Sequence, residues 1–473
     1  MASGCRRCLI GGAVAAMVAV LGGMARPAAT PPTGRRGLTL AEAVRRALAY
    51  YPGALVAARN AAAARAQVGV ARTSYLPVTG ITAQFDRGTD NAVLGPTFPS
   101  PLPAISGTVP TKDYFGGSAW TSAAGVYFNW ELFDFGRRAA NVNFYRDLAA
   151  QASQHEQYVR LQVAAHAADT FLNVLAAQAE QQVAQADVSR WHTVDQIVRV
   201  LVAQQLRPGA DASRADAELA GARIRLAGTV QAAERAQAAL AEAVGNAGAA
   251  LPALDAGLLA AAPSSAPPAA PDVALHPQAR AQQQAVAASR QQGKELAVAD
   301  RPRFYLLGAA YGRGTGVVAP GDLAAGATGL SPTGAGNWAV GAGLDFSFTR
   351  LAQVRRQRAV QRQQLAAAQA QYAQIVQRLA AARRQAAADL AAAEQVSKDS
   401  PIELQAAQMG EAQARARYQA GLSAIVDLAN AEQLLARAQS DDALSRLQVW
   451  RGWLEMGFAA GDLQPFLRAA GGY

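Results

Sequence analysis

The sequence contains two copies of one long pattern, which restricts the chain to folds with an internal two-fold repeat. Tyr51-Pro52 begins a helical stretch that runs to Pro77, and His276-Pro277 begins a second one that runs to Pro302. In both copies a strand-like run, a glycine-rich loop, another strand-like run, a very long helix and a shorter helix follow in that order. We therefore predict two structural repeats, a linker rich in proline and alanine, and a tail: 26–250 and 276–457 for the repeats, 251–275 for the linker and 458–473 for the tail.

Each repeat carries a pair of predicted strands around a predicted external loop. The strands are expected at 76–86 and 120–133 in the first repeat and at 303–311 and 337–348 in the second, and the loops at 87–119 and 312–336. In the second strand of each pair, apolar residues alternate with glycine and polar residues. The apolar ones form a candidate lipid face: Val126, Phe128, Trp130, Trp338, Val340, Leu344 and Phe346.

Strict alternation places one face of a strand in apolar surroundings and the other face in polar ones. About ten residues of it also suit a tilted strand that crosses a bilayer. Taken alone, the pattern fits a half-buried strand in a soluble β-sandwich equally well.

The helical pattern that follows each strand pair is unusually long. The run 137–205 contains neither proline nor glycine, which predicts roughly 100 Å of helix. Leu161, Ala168 and Leu175 belong to a 3-4-3-4 spacing that is typical of a coiled-coil seam. After a turn, a second helix is expected at 211–244, and the second repeat matches with helices at 350–419 and 424–456. Pro401 lies inside the second long helix and is expected to bend or break it.

Four strands per chain cannot close a membrane barrel, and an open sheet edge in lipid is prohibitive. If the strands cross a membrane, either another four strands are missing or several chains share one barrel, and we infer a homo-oligomer, most simply a trimer. Eight strands from a dimer would leave a filled interior, whereas twelve from a trimer leave a wider, water-filled one. The small residues on the face predicted to line this lumen favour a water-filled interior: Gly125, Gly341 and Gly343. We predict an α+β membrane protein, a homotrimeric twelve-stranded β-barrel continued by a long α-helical coiled-coil barrel.

The first residues have the pattern of a secretion signal. Arg6 and Arg7 precede an apolar stretch, and Gly23-Met24-Ala25 matches a small-x-small cleavage site, which gives a signal peptide at 1–25. Cleavage after Ala29 also fits. The two cysteines, Cys5 and Cys8, precede the apolar stretch, so neither is expected to carry a lipid anchor and the mature chain is expected to lack cysteine.

Composition excludes several functions. After the N-terminus there is no run of eighteen apolar residues, as a polytopic helical membrane protein would need. A net charge of +10 would suit nucleic acid, but an exported chain rarely meets it, and we predict no nucleic-acid partner. The four histidines occur singly, without the spacing of a metal site or a catalytic triad. We therefore expect no catalytic residue, no metal, no cofactor and no enzyme activity.

Three segments together resemble the TolC-like outer-membrane efflux and secretion ducts, the outer membrane efflux proteins. They are 38–43 with Tyr51-Pro52, the strand-to-helix junction 130–137, and the second helical turn 417–427. The resemblance implies an outer-membrane barrel with a periplasmic helical extension. It also implies two kinds of partner, a periplasmic adaptor (membrane fusion) protein and an inner-membrane transporter of the RND, ABC or MFS class.

The same resemblance implies a gate at the periplasmic helix tips. Tyr418 occupies the position of the family's gate tyrosine, and Asp427 that of an aspartate that points into the bore. The second bore aspartate is Asn430 here, and Asp211 and Asp216 flank the matching position of the first repeat. The turn residues are candidates for adaptor docking: Pro208, Gly209, Gly421 and Leu422. Two other roles stay open, because Asp427 near a helix start suits the helix dipole and Tyr418 could pack in the seam.

The leading hypothesis is a passive exit duct of a tripartite efflux pump or a type I secretion system. The alternative is an exported structural or adhesive coiled-coil protein of the cell envelope, which has no use for two matched amphipathic strand pairs. A periplasmic adaptor would need flanking domains for which the sequence has no segments.

Overall fold

The computed structural model describes seven parts of the chain: residues 37–89, 118–248, 250–263, 271–319, 322–323, 326–332 and 335–471. The predicted signal peptide, its cleavage site and both cysteines lie outside these residues. So do most of the first external loop and the middle of the linker.

Four strands form one antiparallel sheet in the order β1-β2-β3-β6. They are β1 Val78–Thr89, β2 Ser118–Phe133, β3 Arg303–Thr315 and β6 Ala335–Asp345, and a short hairpin of β4 Val317–Ala319 and β5 Asp322–Leu323 lies between the last two. The two repeats therefore join at β2 and β3, and β1 and β6 are the edge strands.

Six of the eight predicted strand ends are shifted by two to four residues, among them the ends of β3 and β6. β3 continues to Thr315, into the segment expected to be a loop, because β2 starts early enough to pair with it, with Thr121 opposite Thr315. β6 ends at Asp345, so Phe346 lies beyond the strand, in the junction to the helix that begins at Phe348. There the Phe346 ring packs edge-on against that of Phe348, with 5.1 Å between the ring centroids.

The register of the sheet puts the predicted apolar residues on one face. Val126 lies opposite Ile81 on one side and Ala310 on the other, and Ala310 lies opposite Trp338. By the same alternation, the other candidates within strands share this face: Phe128, Trp130, Val340 and Leu344. The opposite face carries the small and polar residues, among them Gly125, Gly341 and Gly343.

Nine α-helices, from four to 72 residues long, make up most of the other described residues. They are α1 Leu40–Tyr50, α2 Pro52–Arg72, α3 Arg137–Ala203, α4 Gly209–Ala243, α5 Gly257–Ala260, α6 Pro277–Val298, α7 Phe348–Gln419, α8 Ile425–Ala460 and α9 Gln464–Ala469. α3 and α4 form one helical hairpin, α7 and α8 form the second, and α2 and α6 pack along α3. Among the helices of the described segments, none is both long enough and apolar enough to cross a bilayer.

α7 does not end at Pro401, where a bend or break was expected. A proline in a helix removes one backbone hydrogen bond, but α7 packs against α8 before this point, at Leu390 and Gly452, and after it, at Ala407 and Leu435. Next to the proline, Ser400 is buried and its Oγ donates to Asp442 Oδ1 of α8 at 3.3 Å. Tertiary packing thus offsets the local cost.

Two glycines join the shorter helices end to end. Gly245, just after α4, has a φ of +76° and lies so close to α1 that a Cβ would come within 2.9 Å of the Tyr50 carbonyl carbon. Gly461, just after α8, has a φ of +84°, and a Cβ there would lie 2.9 Å from both His276 and Pro277. Only glycine combines this backbone conformation with such close contact. The two joints are equivalent in the two repeats.

The largest apolar core lies beside these joints. Phe171, Leu172 and Leu175 of α3 are fully buried, and they belong to one cluster with Trp450 and Trp453 of α8. The linker and the tail pack against this cluster through Leu254, Leu258, Phe466 and Leu467. The main-chain N–H of Leu38 also donates to the Ala253 carbonyl at 2.7 Å. Linker and tail therefore stabilise the middle of the helical region.

The second joint contains a buried histidine that fits its site in one protonation state. His276 is fully buried, its Nε2 lies 3.3 Å from the Phe458 carbonyl oxygen, and its Nδ1 accepts from the Gln278 N–H at 3.2 Å. Neutral imidazole with its proton on Nε2 satisfies both contacts. Burial lowers the pKa of His276, and the charge of nearby Arg383 lowers it further, although the Phe458 carbonyl opposes them.

We expect this joint to weaken in mild acid. A depressed folded-state pKa gives a stabilisation that is complete above the unfolded value of about 6.5 and is lost as the pH falls below it. The melting temperature of the detergent-solubilised protein should therefore fall between pH 7 and pH 5, and His276→Asn, which keeps a helix-capping side chain, should reduce that fall. The exposed His192 provides a control in His192→Asn. An equal fall in all three proteins would contradict this account.

Candidate gate at the helix tips

The two helical hairpins end side by side in a common tip. An apolar cluster, the tip cluster, packs their four helices together: Trp191, Val194, Val198, Ala215, Leu219, Ala222, Tyr418, Ile425, Leu428 and Ala429. The first turn includes Gln205 at a φ of +59°, and the second includes Gly421 at +80°. In each turn, one residue with a left-handed backbone conformation lets the chain reverse direction between antiparallel helices.

Tyr418 links the two hairpins. Its side chain is buried, with 1% exposed, and its hydroxyl donates to Asp211 Oδ2 at 3.0 Å. Tyr418 is near the end of α7, whereas Asp211 is in the first turn of α4. A tyrosine hydroxyl that donates to a carboxylate makes a charge-assisted hydrogen bond, stronger than a neutral one. We name this contact the tip latch.

Arg207 holds the same tyrosine from a second direction. Its guanidinium lies 4.4 Å from the centroid of the Tyr418 ring, and its Nη2 donates to the Tyr418 carbonyl oxygen at 2.5 Å. Arg207 belongs to the turn between α3 and α4, so this contact also joins the two hairpins. Sequence reasoning missed it, since no spacing relates residues that lie 211 positions apart.

The environment of Tyr418 keeps its hydroxyl protonated. Burial, followed by the hydrogen bond to Asp211 and the charge of that carboxylate, raises the pKa of Tyr418 to about 12, against an opposing effect of Arg207. The tyrosine is therefore a donor throughout the neutral range.

We expect the tip latch to fail only in strong alkali. A raised folded-state pKa gives a stabilisation that is present below the unfolded value of about 10 and is lost as the pH rises through about 12. Planar-bilayer conductance should not change between pH 7 and pH 9 through this group, and it should rise above pH 10. The same titration of Tyr418→Phe should lack the alkaline rise. A rise of the same size in both proteins would argue against the latch.

The other predicted gate residues do not join Tyr418 within the chain. Asp427 is exposed, and its Oδ2 accepts from the Ala424 N–H at 3.3 Å at the start of α8, the helix-start role that the sequence left open. Asn430 is exposed. Asp216 pairs with Arg199 of α3, away from the latch.

The predicted docking turns are at the surface. Pro208, Gly209 and Gly421 are exposed, and the Leu422 side chain is 79% exposed. Leu206, on the neighbouring turn, is 65% exposed. Each of the two turns at the tip therefore carries one exposed leucine.

The described residues contain no group of three or more side chains suited to hold a metal ion. The chemistry of the tip is that of hydrogen bonds and ion pairs between helices.

Comparisons with known proteins show a family and several solved structures that this chain resembles. A sequence model of the family described as outer membrane efflux protein matches residues 43–246 and 273–461. A comparison with curated protein sequences gave no match.

Three solved channel structures are similar in fold. VceC, an outer membrane protein from Vibrio cholerae, is 18% identical, with 89% of this chain and 96% of that chain covered and a TM-score of 0.71. The CmeC outer membrane channel of Campylobacter jejuni is 14% identical, with 89% and 85% covered and a TM-score of 0.72. The open state of the MtrE outer membrane channel of Neisseria gonorrhoeae is 18% identical, with 90% and 89% covered and a TM-score of 0.68.

Proposed function

The chain belongs to the outer membrane efflux protein family, and from this membership we propose that it is the exit duct of a tripartite efflux pump or a type I secretion system. Members of this family are passive channels of the outer membrane with a periplasmic extension, and the chain is not an enzyme. The observation that carries the proposal is the joining of two long helical hairpins to a sheet with one apolar and one polar face.

In the proposed assembly three chains close one barrel. The edge strands β1 and β6 of neighbouring chains would pair, because an unpaired edge in lipid leaves backbone groups without hydrogen bonds. The apolar face, with Val126 and Trp338, would contact lipid, and the face with Gly125 and Gly341 would line the lumen. The alternative, a structural or adhesive coiled-coil protein, gives this two-sided sheet no role.

The periplasmic tips would form the gate. The tip latch between Tyr418 and Asp211 holds the two hairpins of a chain together in the closed state, and Arg207 supports it. Three symmetry-related copies of Asp427, with Asn430 close to it, would place negative potential at the constriction and favour cations. Asp216 would add to this charge, reduced by its ion pair with Arg199.

The partners would meet the tip from the periplasm. A periplasmic adaptor protein would dock on the turns that carry Pro208, Gly209, Gly421 and Leu422. An inner-membrane transporter of the RND, ABC or MFS class would supply the substrate and the energy.

Fractionation and conductance of the full-length protein test this function. We expect the protein in the outer-membrane fraction as a heat-sensitive oligomer, which after detergent extraction forms channels of small conductance in a planar bilayer. Recovery in the soluble periplasm or the medium, without such an oligomer, would contradict the duct. A membrane-derived oligomer that forms no channel would favour the structural alternative.

A further inference from the structure

A layer of charged residues interrupts the apolar packing between the two hairpins. On its tip side lies the tip cluster, and on its barrel side apolar contacts resume with Ala407, Leu435 and Ala438. The layer contains three carboxylates and two arginines, which come from three helices: Asp187 and Arg190 of α3, Glu411 and Arg415 of α7, and Glu432 of α8.

Glu432 is the centre of this layer. Its side chain is fully buried, and each carboxylate oxygen has a different arginine partner. Oε2 accepts from Arg190 Nε at 2.9 Å, across the two hairpins, and Oε1 accepts from Arg415 Nη2 at 2.8 Å, within the second hairpin. Breaking the first contact would leave Oε2 of Glu432 without a partner in a place that water does not reach, which is unfavourable even with Arg415 still bound to Oε1.

Arg190 holds α8 at a second point as well. Its Nη1 donates to Gln439 Oε1 at 3.1 Å, two helical turns beyond Glu432, and its Nη2 lies 3.4 Å from Asp187 Oδ1 on its own helix. A guanidinium has a rigid, planar set of donors, so these contacts fix the position of α8 along α3.

The register at this layer and the position of the tip latch are linked through α7. Glu411 precedes Tyr418 by two helical turns on the same face of α7, and both residues are buried. Apolar seams rich in alanine tolerate sliding, whereas one buried polar position in a coiled coil specifies a single register. A slide by one turn would separate Arg190 from Glu432 and would also move Tyr418 away from Asp211.

We propose that Arg190 and Glu432 are positioning residues of the gate, which hold the second hairpin in the one register at which Tyr418 reaches Asp211. This inference rests on the proposed function, because it assigns the bridge a role in closing the duct. The bridge keeps the tip closed by alignment and takes no part in lining the bore.

A cysteine reporter tests the bridge directly. The described residues contain no cysteine, and Ala429 is a fully buried member of the tip cluster on α8. In the full-length, membrane-derived oligomer that carries Ala429→Cys, we expect slow reaction with N-ethylmaleimide. Arg190→Met should increase the reaction rate at least tenfold, because the hairpins lose their register and separate.

The matched control is Arg214→Met. Arg214 pairs with Glu218 at 3.0 Å, but this contact stays within α4, and the Arg214 side chain is 47% exposed. The labelling rate should not change in this variant. Arg190→Lys keeps the positive charge but loses the planar set of guanidinium donors, and it should give an intermediate labelling rate.

Conductance separates failure of this inference from failure of the proposed function. Arg190→Met should raise conductance in the wild-type background but not further in Tyr418→Phe, because the latch it positions is already absent. Unchanged labelling in Arg190→Met overturns the bridge, whatever the conductance does. If Arg190→Met does not assemble, Glu432→Gln and Arg190→Lys decide, and unchanged labelling in both overturns it. A Tyr418→Phe channel with wild-type conductance counts against the proposed gate alone.

Discussion

Replacing Tyr418 with phenylalanine is expected to raise the open probability of the channel about 10-fold to 100-fold. The change removes the hydroxyl that donates to Asp211 at 3.0 Å and keeps the buried ring under Arg207. A hydrogen bond to a charged group contributes about 1.5–3 kcal/mol, and each 1.4 kcal/mol changes an equilibrium about tenfold. Single-channel recording of the purified oligomer measures the effect.

Tyr372→Phe is the matched control for this prediction. Tyr372 is a partly buried tyrosine on the same helix, far from the tip. Its hydroxyl is not involved in the latch, so its removal should leave the open probability unchanged. Equal behaviour of the two variants would show that the latch does not hold the closed state.

Gly125→Ala is expected to prevent assembly of most of the protein into the heat-sensitive oligomer. A Cβ at this position would lie 2.3 Å from Tyr311 Cβ and 2.4 Å from the Ala310 carbonyl oxygen, far inside normal contact distance. The obstacle includes backbone of β3, so a rotamer change cannot relieve it. Overpacking of this kind costs about 1–3 kcal/mol or more. Unheated gel electrophoresis of the outer-membrane fraction should show at least a tenfold loss of oligomer.

Gly341→Ala is the matched control for Gly125→Ala. Gly341 lies on the same face of the sheet as Gly125, but a Cβ there would have no neighbour within 4 Å. Normal assembly of this variant with loss of assembly in Gly125→Ala would locate the effect in the contact between β2 and β3. Normal assembly of both would mean that β2 and β3 can move apart at no measurable cost.

The overall fold is predictable from local patterns, and the comparisons confirm the predicted fold class and family. Long runs without proline or glycine specify the helices, and period-two alternation specifies the strand faces. The differences from the prediction arise from tertiary contacts, which local patterns do not show. Gly312 to Thr315 carry no strand pattern of their own and become strand because β2 offers them a partner. At Pro401, where a bend or a break was expected, the break does not occur, and α8 packs along α7.

The candidate site is less accessible to sequence reasoning. Tyr418 could be found because its position relative to the turn glycine matches a family pattern. Arg207, Arg190 and Glu432 could not, because their partners lie more than 200 residues away in the chain. An arginine in a helix looks like a solvated residue until its partner across the hairpins is known.

The repeat is symmetric, but the tip latch is not. The first repeat supplies the acceptor Asp211 and the stacking Arg207, and the second supplies the donor Tyr418. Neither half could build this contact with a copy of itself. Because the donor and the acceptor lie in different halves of one chain, each chain of the proposed trimer has its own tip latch, and each of the three latches can open independently of the other two.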